Sequence, residues 1–324
     1  MKEALYYKKI DNGKVVCELC PHRCILDMGQ IGRCGVRENN QGKLITKNYG
    51  ILSALNVDPI EKKPFYHFYP NKNILSIGSV GCNMGCPYCQ NYEIAKEFHK
   101  TPVKEFTYKE ILENYDGFGI AFTYNEPTVY YEFMLDMAKY VKSLSKKTTV
   151  VTNGLIEKKP LLELIPYIDA FSVDLKGFTQ EIYDQLGGIL EGVKSTLKLI
   201  VLEKKHLEIE FLLVPGINDN KEEFLQLVKW IKEELNPEIP LHINRYYPKY
   251  KLTTPPPSKK ILLEYYEIAK NHLQYVYVGN ANIDIDTFCS CGNLAIKRQG
   301  WEVEIKGLDN HGKCKKCMKK VVTM

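Results

Sequence analysis

The sequence predicts an α/β fold: a parallel sheet with helices on its outer face, curled into a partial (β/α)6 barrel, with small cysteine-rich metal-binding modules at both ends. Three observations predict it. Short apolar runs alternate with longer stretches whose apolar residues recur three and four positions apart. The order is βαβα throughout, and a crossover helix returns the chain to the same end of the sheet, which makes successive strands parallel. The cysteines gather in packets outside this alternation and directly after its first strand.

In chain order, strand-like runs occur at 74–78, 118–124, 148–152, 170–175, 207–214, 241–246 and 275–278. The helix-like stretches between them are 127–144, 161–167, 180–186, 193–202, 221–235 and 258–273. The proline-rich stretch Thr254-Pro255-Pro256-Pro257 reads as a loop before the last helix. No internal repeat or low-complexity segment interrupts the series. This divides the chain into an N-terminal four-cysteine module with its lead-in (1–70), the barrel (71–282) and a C-terminal four-cysteine module (283–324). In such a barrel the working groups sit at the C-terminal ends of the strands.

Composition excludes several classes. With 324 residues, 44% of them hydrophobic, the chain can bury a sizeable core and is neither disordered nor fibrous. No apolar run reaches the ~18 residues of a membrane span, and the first residues lack the apolar region of a signal peptide. A cytoplasmic protein without membrane association is expected. The net charge of +5 is spread out, except where Lys313, Lys315, Lys316, Lys319 and Lys320 crowd together near the end.

Eleven cysteines in a chain of this kind point to metal rather than to disulfides. Cys17, Cys20, Cys24 and Cys34 form one packet, Cys82, Cys86 and Cys89 a second, and Cys289, Cys291, Cys314 and Cys317 a third. A tetrahedral zinc or an ordinary iron–sulfur cluster takes four thiolates, so each outer packet is complete. The middle packet is one ligand short, as a metal that works on a substrate requires. Cys289-x-Cys291 with Cys314-x2-Cys317 reads as a zinc ribbon. Cys17-x2-Cys20-x3-Cys24-x9-Cys34 suits either zinc or an auxiliary [4Fe–4S] cluster, with His22 as a spare ligand, and its polar flanks favour zinc.

The middle packet, Gly81-Cys82-Asn83-Met84-Gly85-Cys86-Pro87-Tyr88-Cys89, follows the first strand of the series. Three thiols so close together wrap one cubane only through a tight loop, which Gly81, Gly85 and Pro87 promote. A structural zinc borrowing His67 or His99 is the competing reading. In its Cys-x3-Cys-x-aromatic-Cys spacing and its position, the segment resembles the signature of the radical S-adenosylmethionine (SAM) superfamily. The resemblance implies that Cys82, Cys86 and Cys89 hold a [4Fe–4S] cluster whose fourth iron SAM chelates. It implies further that an electron from a flavodoxin- or ferredoxin-type donor cleaves SAM to a 5′-deoxyadenosyl radical.

The same resemblance assigns residues at the other strand ends. Tyr88 is expected beside adenine. Thr123-Tyr124-Asn125-Glu126-Pro127 stands where the superfamily usually carries Gly-Gly-Glu, so Asn125 and Glu126 are expected near the SAM amino group although the glycines are absent. Asn153 suits the ribose hydroxyls. Asp174-Leu175-Lys176 is similar to the Asp-x-Lys of the pyruvate formate-lyase activases, which contacts SAM; the competing reading is an ion pair bound only to itself. His242 is expected near SAM, against a purely structural histidine, and Gly279 lets backbone approach adenine.

Together with the terminal cysteines, Cys17-Glu-Leu-Cys20-Pro-His-Arg-Cys24, Gly32-Arg-Cys34, Asp58-Pro-Ile-Glu-Lys-Lys-Pro64, Tyr124-Asn-Glu-Pro-Thr128 and Arg245-Tyr-Tyr-Pro248 resemble the radical SAM enzymes of the AmmeMemoRadiSam system. These are relatives of the pyruvate formate-lyase activases. The implied function is hydrogen abstraction from an unidentified substrate, with protein partners from that system. A glycyl-radical-enzyme activase is the alternative within the class. From another class, a zinc-ribbon RNA-binding protein is suggested by the basic tail and by Tyr246 and Tyr247.

Overall fold

The strand Asn73–Gly78 carries Ile74, Leu75 and Ile77 with no fully polar face, so it is stable only when covered on both sides. The computed structural model, which describes residues 1–324, covers it in this way. Its main sheet has eight strands in the spatial order Val276–Gly279, Leu241–Arg245, His206–Leu213, Ala170–Asp174, Lys147–Thr152, Gly119–Phe122, Asn73–Gly78 and Ala54–Pro59. The first seven are mutually parallel. They belong to six βα units and a closing strand, as the alternation predicts.

Three of the main helices start where a side chain satisfies free backbone N–H groups. Thr179 caps Gln180–Leu186, Asn220 caps Lys221–Trp230 and Ser258 caps Lys259–Lys270. Glycine at 187, with φ +64°, ends Gln180–Leu186 in the left-handed region. The predicted stretch 127–144 is divided: Pro127–Tyr130 is a 3-10 turn, and the α-helix is Tyr131–Ser143.

Some elements lie outside the predicted series. Ala54–Pro59 pairs antiparallel with Asn73–Gly78 and forms the sheet edge. A short helix, Tyr108–Glu113, starts with a reciprocal Thr107–Glu110 capping box. Residues before the sheet form two three-stranded antiparallel sheets, one from Lys2–Glu3, Lys43–Thr46 and Arg37–Asn40, the other from Tyr7–Lys9, Val15–Cys17 and Ile25–Leu26. The C-terminal cysteines accompany a third small sheet of Thr287–Phe288, Leu294–Gln299 and Glu302–Ile305. No helix is long and apolar enough to cross a membrane.

The loops that follow Asn73–Gly78 and Leu241–Arg245 meet across the mouth of the curled sheet. Beyond Leu241–Arg245, the Lys251 and Leu252 amides both donate to the Pro87 carbonyl, at 2.9 and 3.1 Å, and Tyr92 stacks on Tyr250. Tyr246 is fully buried by this closure and its hydroxyl donates to the Leu252 carbonyl at 2.9 Å. It is therefore no surface aromatic for RNA.

Side chains of one register row share a face, so Asp174, Glu210, His242 and Tyr277 point into the barrel together. Glu208, also inward, is reached at 3.0 and 2.8 Å by the backbone amides of Tyr66 and His67. His206 and His242 donate to the same carboxylate at 2.9 and 2.7 Å. Burial alone would raise its pKa, but these imidazole donors outweigh it and hold Glu208 well below the usual carboxylate range.

His67 ties the C-terminal module to the barrel. Its Nδ1–H donates to the Val321 carbonyl at 2.7 Å, and its Nε2 accepts from the Tyr277 hydroxyl at 2.6 Å. Burial pushes its pKa down to about 4, against Glu208, which favours the charged ring. The undocked ring therefore binds a proton more readily than the docked one. Stability from this contact is complete above the ordinary imidazole value of 6.5 and is lost as pH falls from there toward about 4. Chemical denaturation across that window should show a loss of ~3 kcal/mol in the native chain. A flatter profile is expected in His67→Gln, and identical slopes would contradict the assignment.

Candidate functional site

The loop after Asn73–Gly78 is shaped by backbone crowding. Gly81 has φ +92°, and a Cβ there would meet the Cys34 carbonyl oxygen at 2.7 Å, so only glycine lets the chain pass between the N-terminal module and the barrel mouth. Asn125 braces the loop from the next strand, accepting from the Ser79 amide at 2.8 Å and donating to the Gly81 carbonyl at 2.9 Å. Asn83 donates to the Leu155 carbonyl at 2.8 Å, the Gly85 amide donates to the Leu186 carbonyl at 2.7 Å, and Lys96 donates to the Cys82 carbonyl at 2.9 Å. Five hydrogen bonds to four other segments thus fix a loop that carries three thiols.

The environment suits thiolates held by a cation. Burial, with Glu126 nearby, pushes the Cys82 thiol up to about 12, and burial likewise raises Cys86 and Cys89. Such groups yield thiolates when a metal takes the place of the proton. The three sulfurs do not form a close group such as the C-terminal four, whose Sγ atoms all lie within 4.8 Å of one another. One tetrahedral ion with metal–sulfur bonds of about 2.3 Å holds its sulfurs ~3.8 Å apart, whereas thiolates on different irons of a cubane stand wider. The central loop fits the cubane.

Around it, the expected site residues are gathered but not all free. Glu126 is buried and accepts from the Thr128 amide at 3.0 Å, the Thr152 hydroxyl at 2.6 Å and the Asn153 amide at 2.8 Å. Burial raises its pKa, opposed by those donors. The Asn153 side chain donates to Asn83 at 2.9 Å and faces the Cys82 sulfur at 3.8 Å, while its Oδ1 accepts from the Leu155 amide at 2.9 Å. Tyr88 is buried against Tyr246, and its hydroxyl has no partner.

Asp174 and Lys176 form an ion pair at 2.9 Å. The pair also faces Cys86 and Tyr88: despite burial, which favours the neutral amine, Asp174 and then Cys86 and Tyr88 hold the Lys176 pKa well above its ordinary value. His242 is pinned to Glu208 and stacked near Tyr277, with Glu210 at 3.8 Å. At Gly279 a Cβ would collide with the Asn244 amide oxygen, so that glycine admits a neighbouring side chain. His67 lies at the C-terminal contact, bonded to Val321 and Tyr277, and is not a ligand partner for the central cysteines.

Sequence reasoning passes over the interior carboxylates. Glu210 is buried with one oxygen bonded to Asn244 and Oε1 unpartnered; burial, with Asp174 and Glu208 nearby, raises its pKa well above the carboxylate range. Ser76, Thr149 and Ser172 also have unpartnered hydroxyls. Asn244, which bonds Glu210, also lines a cleft of ≈ 240 Å³ together with His242, Tyr277 and Gly279, bordered by Arg298 and Trp301 of the C-terminal module. Orphaned buried polar atoms mark places for ligand or water.

At the C-terminus Cys289 and Cys317 lie 3.5 Å apart, Cys291 and Cys314 3.6 Å apart, and the Asn293 amide donates to the Cys314 sulfur at 3.4 Å. These spacings match the edge of a tetrahedron around one ion.

A family profile described as the radical SAM superfamily matches residues 76–231. An uncharacterised protein of Methanocaldococcus jannaschii is 40% identical over 99% of both chains. A second protein of that organism, named as a candidate glycyl-radical enzyme activating enzyme, is 28% identical over 66% of this chain and 92% of its own. The pyruvate formate-lyase-activating enzyme of Clostridium pasteurianum is 26% identical over 51% of this chain and 75% of its own.

Proposed function

The chain belongs to the radical SAM superfamily and is related to the glycyl-radical enzyme activases, and from this premise we propose that it binds a [4Fe–4S] cluster on Cys82, Cys86 and Cys89 and cleaves SAM there. One observation carries the reading: three thiols, Cys86 buried and Cys82 and Cys89 half-buried, on a braced loop at the C-terminal end of the first parallel strand. When bound, the cluster supplies one electron, from a flavodoxin- or ferredoxin-type donor, that splits the sulfonium into methionine and a 5′-deoxyadenosyl radical. The protein's part is to orient SAM and exclude water.

Glu126 fills three of its roughly four acceptor sites from the chain, which leaves about one for the SAM ammonium. Asn125 and Asn153 act as positioning residues, the first through the backbone beside Cys82 and the second through Asn83 and the Cys82 sulfur. Tyr88 offers a buried ring beside adenine, and Asp174 with Lys176 offers polar contacts on the Cys86 side. His242 orders the interior through Glu208.

The substrate approaches from the cleft lined by His242 and Asn244, next to the buried Glu210. The motifs of the N-terminal module support a place in the AmmeMemoRadiSam system with its protein partners, and the candidate activase among the relatives supports the alternative of a glycine backbone on a partner enzyme. We assign zinc to Cys289, Cys291, Cys314 and Cys317.

Three experiments test these assignments. The full chain, reconstituted anaerobically and reduced with dithionite, should release 5′-deoxyadenosine from SAM; none from a cluster-loaded protein would overturn the reading. In Asp174→Ala, SAM affinity should weaken by roughly five- to 150-fold, the equivalent of ~1 to 3 kcal/mol, with the cluster intact. Unchanged affinity would leave the pair as an ion pair alone, worth ~0 to 1 kcal/mol. Cys314→Ser should lose zinc and thermal stability while the central cluster's spectrum persists, since a metal bound only by the folded form adds its binding free energy to stability. Loss of iron in place of zinc would reverse the metal assignment.

A further inference from the structure

The N-terminal cysteines enclose one small cavity. Cys17, Cys20, Cys24 and Cys34 all line it, between the N-terminal module and the cluster loop. The close four-sulfur grouping found at the C-terminus, with neighbours at 3.5 and 3.6 Å, is not repeated here. Burial raises the thiols of Cys17, Cys20 and Cys34.

A second observation points to a ligand. Arg37, only 2% exposed, is on the cavity wall, and its Nε–H has no acceptor although its other nitrogens bond Glu132 and the Leu5 carbonyl. A buried guanidinium N–H left without a partner beside Cys17 and Cys34 is a donor waiting for sulfur or thiolate. His22 is not a spare ligand in the simple sense, because its Nε2–H donates to the Asn83 carbonyl at 2.9 Å.

We propose that Cys17, Cys20, Cys24 and Cys34 bind an auxiliary [4Fe–4S] cluster, with Arg37 donating to it, in place of the single zinc that the polar flanks suggest. Four thiolates complete its coordination, so this cluster is closed and does not take SAM. It borders the central loop directly: Asn83 forms part of its wall and lies between the ligands Cys82 and Cys86, and the Cys34 carbonyl abuts Gly81.

Metal and sulfide counting on the anaerobically reconstituted full chain tests this. About eight irons and eight sulfides with about one zinc per chain are expected, four irons from each cubane. About four irons with about two zincs would overturn it. The variant C82A/C86A/C89A then locates the iron: it should keep about four irons and a reduced-state electron paramagnetic resonance signal that does not respond to SAM. Loss of all iron from that folded variant would refute the auxiliary cluster, while failure of the central assignment alone would leave its iron content equal to that of the native chain. In the otherwise native chain, Cys20→Ala should lose about four irons and keep the SAM-responsive signal; an unchanged iron count contradicts the proposal even if the triple variant fails to fold.

Discussion

In the Cys86→Ala variant, 5′-deoxyadenosine formation should fall to background, and bound iron should drop by about four atoms. The loop offers three thiols and no fourth ligand, so removing one leaves a cubane with two irons lacking protein ligands. Nearby groups do not rescue it. Glu126 is held by three donors, and His67 is committed to Val321 and Tyr277 on the far side of the barrel. Cys86 is buried, but the loop around it is held by backbone bonds from Gly85, Lys251 and Leu252 that its sulfur does not make. The variant should therefore fold with native circular dichroism while losing the central cluster. Full activity in this variant is incompatible with the ligand assignment.

Glu132→Ala should cost about 3 to 5 kcal/mol of stability, the largest effect expected away from the thiols. Arg37 and Glu132 pair at 2.7 Å with side chains 2% and 1% exposed, and the Leu5 amide donates to the same carboxylate at 2.7 Å. The pair joins the N-terminal module to the helix Tyr131–Ser143 of the barrel. Removing the carboxylate leaves two nitrogens of a buried guanidinium without that acceptor, which is costlier than never having built the pair. Urea unfolding should show the loss, and hydrogen exchange should show residues 1–52 opening first. A change under ~1 kcal/mol would mean that water reaches the pair and that the module is held elsewhere.

The seven parallel strands and six main helices were legible because their signals are local. Runs such as Thr-Thr-Val-Val-Thr ending at Thr152 are β-branched and continuous, and the helices repeat every three or four residues between capping side chains. Ala54–Pro59 was not legible: its Leu55 and Val57 are exposed, and it is ordered by pairing with Asn73–Gly78 rather than by its own pattern. The N-terminal sheets escape for the same reason, since Lys2 pairs with Thr46 across most of the module.

At the site, cysteine spacing announced three metal packets, but not how far apart their sulfurs stand. That separation depends on chain segments meeting in space, and it distinguishes the C-terminal tetrahedron from the N-terminal cavity. Asn125 and Asn153 looked like direct SAM contacts, yet their amides are committed to the loop around Cys82, because hydrogen-bond partners follow three-dimensional neighbours. Glu208 and Glu210 did carry a usable signal. Two carboxylates two residues apart in an otherwise apolar run, Leu207-Glu-Ile-Glu-Phe211, share one face of a strand whose surroundings are dry.

In the proposed function SAM binds directly at the cluster on Cys82, Cys86 and Cys89. Electron paramagnetic resonance of the reduced full chain, recorded with and without SAM, tests it most directly. SAM should shift the signal of one cluster, and Cys86→Ala should abolish the shift. A spectrum that SAM leaves unchanged, in a chain carrying its full complement of iron, would contradict it.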